Sequence, residues 1–154
     1  MKNIVNAIIF SICTLLMTSC NKEVATPYDN PFFYIHLNQA SEINVQEDRN
    51  QTIAYPVYFS TKLQYEPIDV YYEIIVGDGL KEGVDFELIN KENKLTFKPG
   101  YFEMPIEIKW IKNTVDPTKD NSLTIQLLSN TKNLTVGLPG PDKNQSSLKI
   151  VKVK

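Results

Sequence analysis

From Phe32 onward the chain alternates apolar and polar residues over short stretches, and no stretch repeats with the period of a helix. The stretches are rich in Val, Ile, Tyr and Phe, and clusters of Gly, Pro, Asn and Asp separate them, which is the punctuation of strands and turns. They fall at 33–37 with a continuation at 43–46, then 52–60, 68–76, 86–97 with a break at 90–93, 105–111, 123–129 and 148–153. Seven strand regions at this spacing predict an all-β domain, a seven-stranded antiparallel sandwich. Alternation also assigns faces. Ile106, Ile108 and Trp110 share one side of their strand and are expected in the core, as are Leu123, Ile125 and Leu127. In the last strand Lys149, Lys152 and Lys154 interrupt the apolar residues, which predicts a solvated strand whose lysines discourage edge pairing. Pro56 removes a ladder donor and marks an edge or a bulge.

The amino-terminal pattern is different. A charged Lys2 precedes an apolar run of about 14 residues, Ile4 to Met17, too short to span hydrocarbon as a permanent helix but suited to an export signal. Small residues Thr18 and Ser19 then precede Cys20. The sequence Leu16-Met17-Thr18-Ser19-Cys20 resembles the lipobox of bacterial lipoproteins. That resemblance implies diacylglycerol on Cys20, cleavage before it and acylation of the new amino terminus. Cys13 lies in the segment that would be removed, so Cys20 has no disulfide partner in the mature chain. Two or three acyl chains anchor a protein stably. The residue after the cysteine is Asn21 rather than the Asp of inner-membrane retention, so the expected location is the outer membrane, with the membrane face left open. The predicted organisation is a lipoprotein signal peptide over 1–19, the lipidated cysteine and a flexible, Pro-containing tether over 20–31, and one domain over 32–154.

Charge narrows the partners. Of 16 basic and 18 acidic residues, residues 1–19 hold one lysine and no acid, so the mature chain carries a net charge near −3. Nucleic acid and anionic lipid headgroups are poor partners for such a surface.

The segment 57–130 resembles the Calx-beta family of immunoglobulin-like sandwiches. After the 68–76 strand comes GDGLKEGVDFEL, in which Asp78, Gly79, Gly83, Asp85 and Phe86 match the family pattern while Leu80-Lys81 replace its Thr-Ala. LTFKPG, PIEIKWIK and the Leu128-Ser129-Asn130 strand ending follow in the family's order. Each piece also has its own physical reason. Gly79 and Gly83 permit positive φ, Asp78 and Asp85 can accept from loop amides, and Pro99-Gly100 sets a hairpin turn. The resemblance raises calcium as a ligand, with Glu47, Asp78, Asp116 and Asp120 as the oxygen donors. Two of the family's four acid sources are weakened or gone: Asp116 and Asp120 stand among Lys112, Pro117 and Lys119, and the chain ends in Lys152-Val153-Lys154. Solvated loop carboxylates without metal are therefore the preferred reading, and no other cofactor is expected.

Catalytic groups are scarce. His36 is the only histidine and sits inside a strand, the cysteine of the mature chain would be lipidated, and no nucleophile elbow or phosphate-binding loop occurs. A non-catalytic role is expected. Exposed aromatics suit a protein or glycan contact. Candidates are Tyr71 and Tyr72, adjacent and so on opposite faces of one strand, and Tyr101 and Phe102 beside a turn, with Tyr55, Tyr58 and Tyr65 behind them. The expected function is a membrane-anchored module for binding or adhesion. The alternative is a structural subunit of an outer-membrane complex with no ligand of its own.

Overall fold

The computed structural model describes residues 30–154, so the signal segment, Cys20 and most of the tether lie outside the described residues. The domain is all-β and sandwich-like. Ten strands form it: β1 (Phe32–Ile35), β2 (Glu42–Gln46), β3 (Gln51–Ser60), β4 (Ile68–Val76), β5 (Phe86–Leu88), β6 (Lys94–Phe97), β7 (Glu103–Trp110), β8 (Ser122–Asn130), β9 (Thr135–Val136) and β10 (Ser147–Val153). They make two five-stranded sheets, ordered β5-β7-β3-β1-β9 and β2-β10-β8-β4-β6.

Seven expected regions become ten strands because two of them break and change sheet. Between β1 and β2 the chain turns through Asn38 and Gln39 at positive φ, closed by reciprocal backbone bonds between Leu37 and Ala40. His36 caps this turn, its Nδ1 accepting from the Gln39 amide at 3.2 Å. Between β5 and β6, the Asn90 side chain accepts from the Glu107 amide at 2.6 Å, standing in for a strand neighbour before the chain crosses over. The tenth strand, β9, is two residues long. The pairing is also not purely antiparallel: β1 runs parallel to β9, and β2 parallel to β10.

Pro56 corrects one expectation and clarifies another. Its strand β3 is interior, flanked by β7 and β1, and it shows no bulge. The Phe59 amide bonds to the Phe102 carbonyl across β3 and β7, so the next pairs along alternate in character, and Pro56 faces Pro105 in a pair that exchanges no hydrogen bonds. The Pro56 nitrogen therefore points toward β1, whose pairing stops one residue earlier, at Ile35 with Val57. The missing donor ends β1 rather than weakening β3.

The two inner faces meet in one core. Phe33 stacks on Phe59 at 4.1 Å, and both meet Phe97 of the opposite sheet edge-on. Trp110 is fully buried, as its alternation with Ile106 and Ile108 requires, and its indole N–H donates to the Tyr55 hydroxyl at 2.7 Å. Burial pushes the Tyr55 hydroxyl up to about 12. Tyr55 is thus part of the core and offers nothing to a partner.

The last strand departs most from expectation. β10 is interior, between β2 and β8, and Lys152 lies on its inward face with Leu148 and Ile150, only 1% exposed. A buried ammonium needs a paired charge and hydrogen-bond acceptors. Asp85 and the Ile111 carbonyl supply them.

Candidate functional site

Strand directions sort the loops into two ends. At the near end the described chain begins beside β1, and Phe32 pairs with Ser60 of β3 and Thr135 of β9. The loops 61–67, 98–102 and 131–134 lie there. At the far end lie the loops after β2, β4 and β7 and the end of β10.

The far end holds all four carboxylates of the calcium reading, and each is occupied by backbone. Glu47 Oε2 accepts from the Val115 amide at 3.0 Å, and Asp78 Oδ1 from the Asp120 amide at 2.9 Å. Asp116 Oδ1 accepts from the amide and hydroxyl of Thr118, which hold its carboxyl below the usual range. Asp120 Oδ1 accepts from the Ser122 amide at 3.1 Å. The topology brings the four to one end without converging them. Among the described residues no group of three or more His, Cys, Asp or Glu side chains is placed to hold a metal ion.

A different cation occupies the centre of this end. Lys152 Nζ donates to Asp85 Oδ1 at 3.0 Å and to the Ile111 carbonyl at 2.9 Å. Asn113 donates to the same carboxylate oxygen at 3.0 Å, and the Lys81 amide to the other oxygen at 3.0 Å. Burial alone would raise the Asp85 carboxyl. The donors from Asn113, Lys152 and Lys81, with the ammonium charge, outweigh it and hold the group below the usual carboxylate range. The loop glycines let this end close. A Cβ on Gly77 would lie 2.3 Å from the Asp120 carbonyl oxygen, and one on Gly79 2.1 Å from Asn121 Oδ1. Close approach, not positive φ, explains Gly79; in that loop Gly83 carries the positive φ, at 81°.

The aromatic candidates separate. Tyr72 is buried and its hydroxyl donates to the Glu92 carbonyl at 2.9 Å, so it belongs to the core and not to a binding surface. Tyr71 points outward from β4. Near it, the β4–β8 register shifts between Tyr71 and Tyr72, which pair with Ser129 and Leu127, so Leu128 is the extra residue of a bulge. The bulge turns both Leu128 and Ser129 outward and brings Asn130 inward, where its side chain bonds the Lys132 and Leu134 amides and the Leu134 carbonyl. Ile75 and Leu128, each 51% exposed, line a shallow groove of about 450 Å³ with Glu73, Gln126 and Lys143. Leu128 did not stand out in the sequence because a bulge has no periodic signature; Ile75 follows the alternation of β4, outward with Tyr71 and Glu73. Tyr34, His36 and Tyr58 stack half-buried on the outer face of the other sheet, His36 lying 4.7 Å from Tyr58. Their ring faces cover one another, and His36 is structural.

At the near end Tyr101 and Phe102 are exposed after a turn in which the Tyr101 amide bonds the Lys98 carbonyl and Gly100 has φ 84°. Beside it, Leu63 and Tyr65 are exposed as well.

No protein-family model matches this chain, and no curated protein sequence matches it either. Among the described residues no helix is long and apolar enough to cross a membrane.

Proposed function

We propose that the chain is a non-catalytic outer-membrane lipoprotein, anchored through lipid on Cys20, whose domain makes contact with a protein or glycan partner at the cell envelope. We read the domain as an immunoglobulin-like sandwich of the Calx-beta type, in which Asp85 and Lys152 serve as an internal ion pair. Support for that reading comes from the roles of the motif residues: Gly83 and Asp85 shape the loop before β5, Pro99-Gly100 makes the turn before β7, and Leu128-Ser129-Asn130 forms the bulged end of β8.

The observation that carries the binding role is the outward placement of Tyr71, Ile75 and Leu128 on one sheet face, two of them lining a common groove. Apolar side chains gathered on a surface mark an interaction site more often than scattered ones do. The groove mixes aliphatic Ile75, Leu127, Leu128 and Val136 with polar Glu73, Gln126, Lys143 and Ser146 and has no aromatic ring in its lining, which suits a protein surface better than a sugar ring.

Affinity purification from envelope fractions tests this. A fixed protein partner should co-purify with the wild-type chain and be lost with Ile75→Lys plus Leu128→Glu. Retardation on a polysaccharide gel that depends on Tyr71 would assign a glycan instead. Neither result, with the chain still in the membrane fraction, would leave the structural-subunit reading in its place. Release of Cys20→Ser from that fraction tests the anchor.

A further inference from the structure

The loop 61–67 is inverted relative to ordinary polarity. It buries its glutamine and exposes its leucine and tyrosine. Gln64 Nε2 donates to the carbonyls of Phe97 at 3.1 Å and Lys98 at 2.9 Å, tying this loop to the neighbouring 98–102 turn. With Gln64 turned in, its neighbours turn out: Leu63 is 67% exposed and Tyr65 83%. An ion pair between Lys132 and Glu66 fixes the loop to the 131–134 segment. The two joined loops thus present Leu63, Tyr65, Tyr101 and Phe102 to solvent at one end of the domain. Leaving this much apolar surface wet is unfavourable unless something covers it.

The chain itself says what lies near. Phe32 pairs with Ser60, the residue immediately before the inverted loop, so the segment from Cys20 reaches the domain at this same end. The twelve residues from Cys20 to Phe32 span at most about 40 Å. Lipid on Cys20 would therefore tether the domain to the bilayer by this end. Tyrosine, with an apolar ring and a polar tip, is a residue of choice at the membrane–water boundary, and leucine and phenylalanine insert just below it. Charged residues share these loops with the four tips: Lys62 and Glu66 with Leu63 and Tyr65, Lys98 with Tyr101 and Phe102, and Lys132 ion-paired to Glu66.

We propose that Leu63, Tyr65, Tyr101 and Phe102 form a membrane-contact surface that dips into the headgroup layer of the bilayer holding the lipid anchor. The proposal rests on the anchor reading above. The bilayer contact fixes the tilt of the domain, directs the far end away from the membrane and places the β4–β8 groove on the flank. Tethering raises the local concentration of bilayer at the tips, so a weak interfacial affinity suffices.

Cys20 is the only cysteine of the mature chain, which permits a test independent of cellular lipidation. The mature chain carrying Tyr65→Trp is coupled through Cys20 to a maleimide phospholipid in zwitterionic phosphatidylcholine vesicles, with or without bromine on the acyl chains. A second sample carries Ile75→Trp, toward the far end of β4. Both replaced positions are exposed, and Trp110, buried in the core, reports that the fold is intact. The expected result is several-fold stronger bromine quenching of the new indole at position 65 than of that at position 75. Equal quenching at both positions, or none at position 65, overturns the proposal. Membrane fractionation of Cys20→Ser in cells fails or succeeds separately, so loss of the anchor reading and loss of the contact surface are distinguishable.

Discussion

The two ends of this domain use polar and apolar groups in opposite ways. At the far end a lysine and an aspartate are drawn inside, and the surrounding loops are cross-bonded through Glu47 and Asp78. At the near end a glutamine is drawn inside while leucine, tyrosine and phenylalanine are left out. Both ends are well ordered by hydrogen bonds, so exposure at the near end does not result from loose loops. The difference separates an end whose buried charges are bonded internally from an end whose leucine and aromatic side chains face solvent. It follows that substitutions at the far end should act on stability, and those at the near end on association.

The sharpest way to break the comparison is Lys152→Met. It removes the cation from a buried carboxylate whose other donors are neutral, and loss of one member of such a pair costs about 3–5 kcal/mol. Urea unfolding should show this as a lower midpoint. The double change Lys152→Met with Asp85→Asn should recover part of the loss, since no unpaired charge remains. A double variant no more stable than Lys152→Met would show that the unpaired Asp85 charge is not what destabilises the single variant.

Acid should produce the next largest effect. The Asp85 carboxyl in the folded state lies below its value in the unfolded chain, which is about 3.9. The unfolded chain therefore takes up its proton first as pH falls. The stability that Asp85 contributes is present above about pH 4 and is lost as pH drops below that, toward the folded-state value. Asp69, Asp116 and Glu66 are shifted the same way, by bonds from Thr96, Thr118 and Lys132, so the wild-type slope is a sum. Comparing urea midpoints at pH 7 and pH 3 for wild type and Asp85→Asn isolates one carboxyl. The variant should lose less between the two.

Much of this contrast was hidden in the sequence for identifiable reasons. Alternation sufficed wherever a strand has a partner on both sides and one face in the core, as with Ile106, Ile108 and Trp110. The same parity puts Lys152 on the inward face with Leu148 and Ile150. Three lysines in seven residues nonetheless read as a solvated strand, and the partner that reverses this, Asp85, is 67 residues away. Tyr71 and Tyr72 were legible as opposite-facing, but which one faces the core depends on the register of β4 with β8. The bulge at Leu128 and the two-residue β9 have no periodic signal at all. The inversion of the 61–67 loop depends on two carbonyls, of Phe97 and Lys98, that only the folded chain brings to Gln64.

The smallest expected effect on stability is the one that sharpens the comparison most. Leu63→Ser with Tyr65→Ser removes side chains that are mostly in water already, and such surface changes stay within about 0.5 kcal/mol. Urea midpoints should barely move, in contrast to Lys152→Met. If the near end faces a bilayer, the same double change should weaken association of the unlipidated mature chain with phosphatidylcholine vesicles, measured by co-sedimentation, while Lys152→Met should leave it unaltered under native conditions. A large stability loss on removing Leu63 and Tyr65 would mean that they pack inward in solution and that the near end is built like the far one. Vesicle association that the wild-type chain shows and the double change leaves intact would mean that the exposed tips serve some other surface.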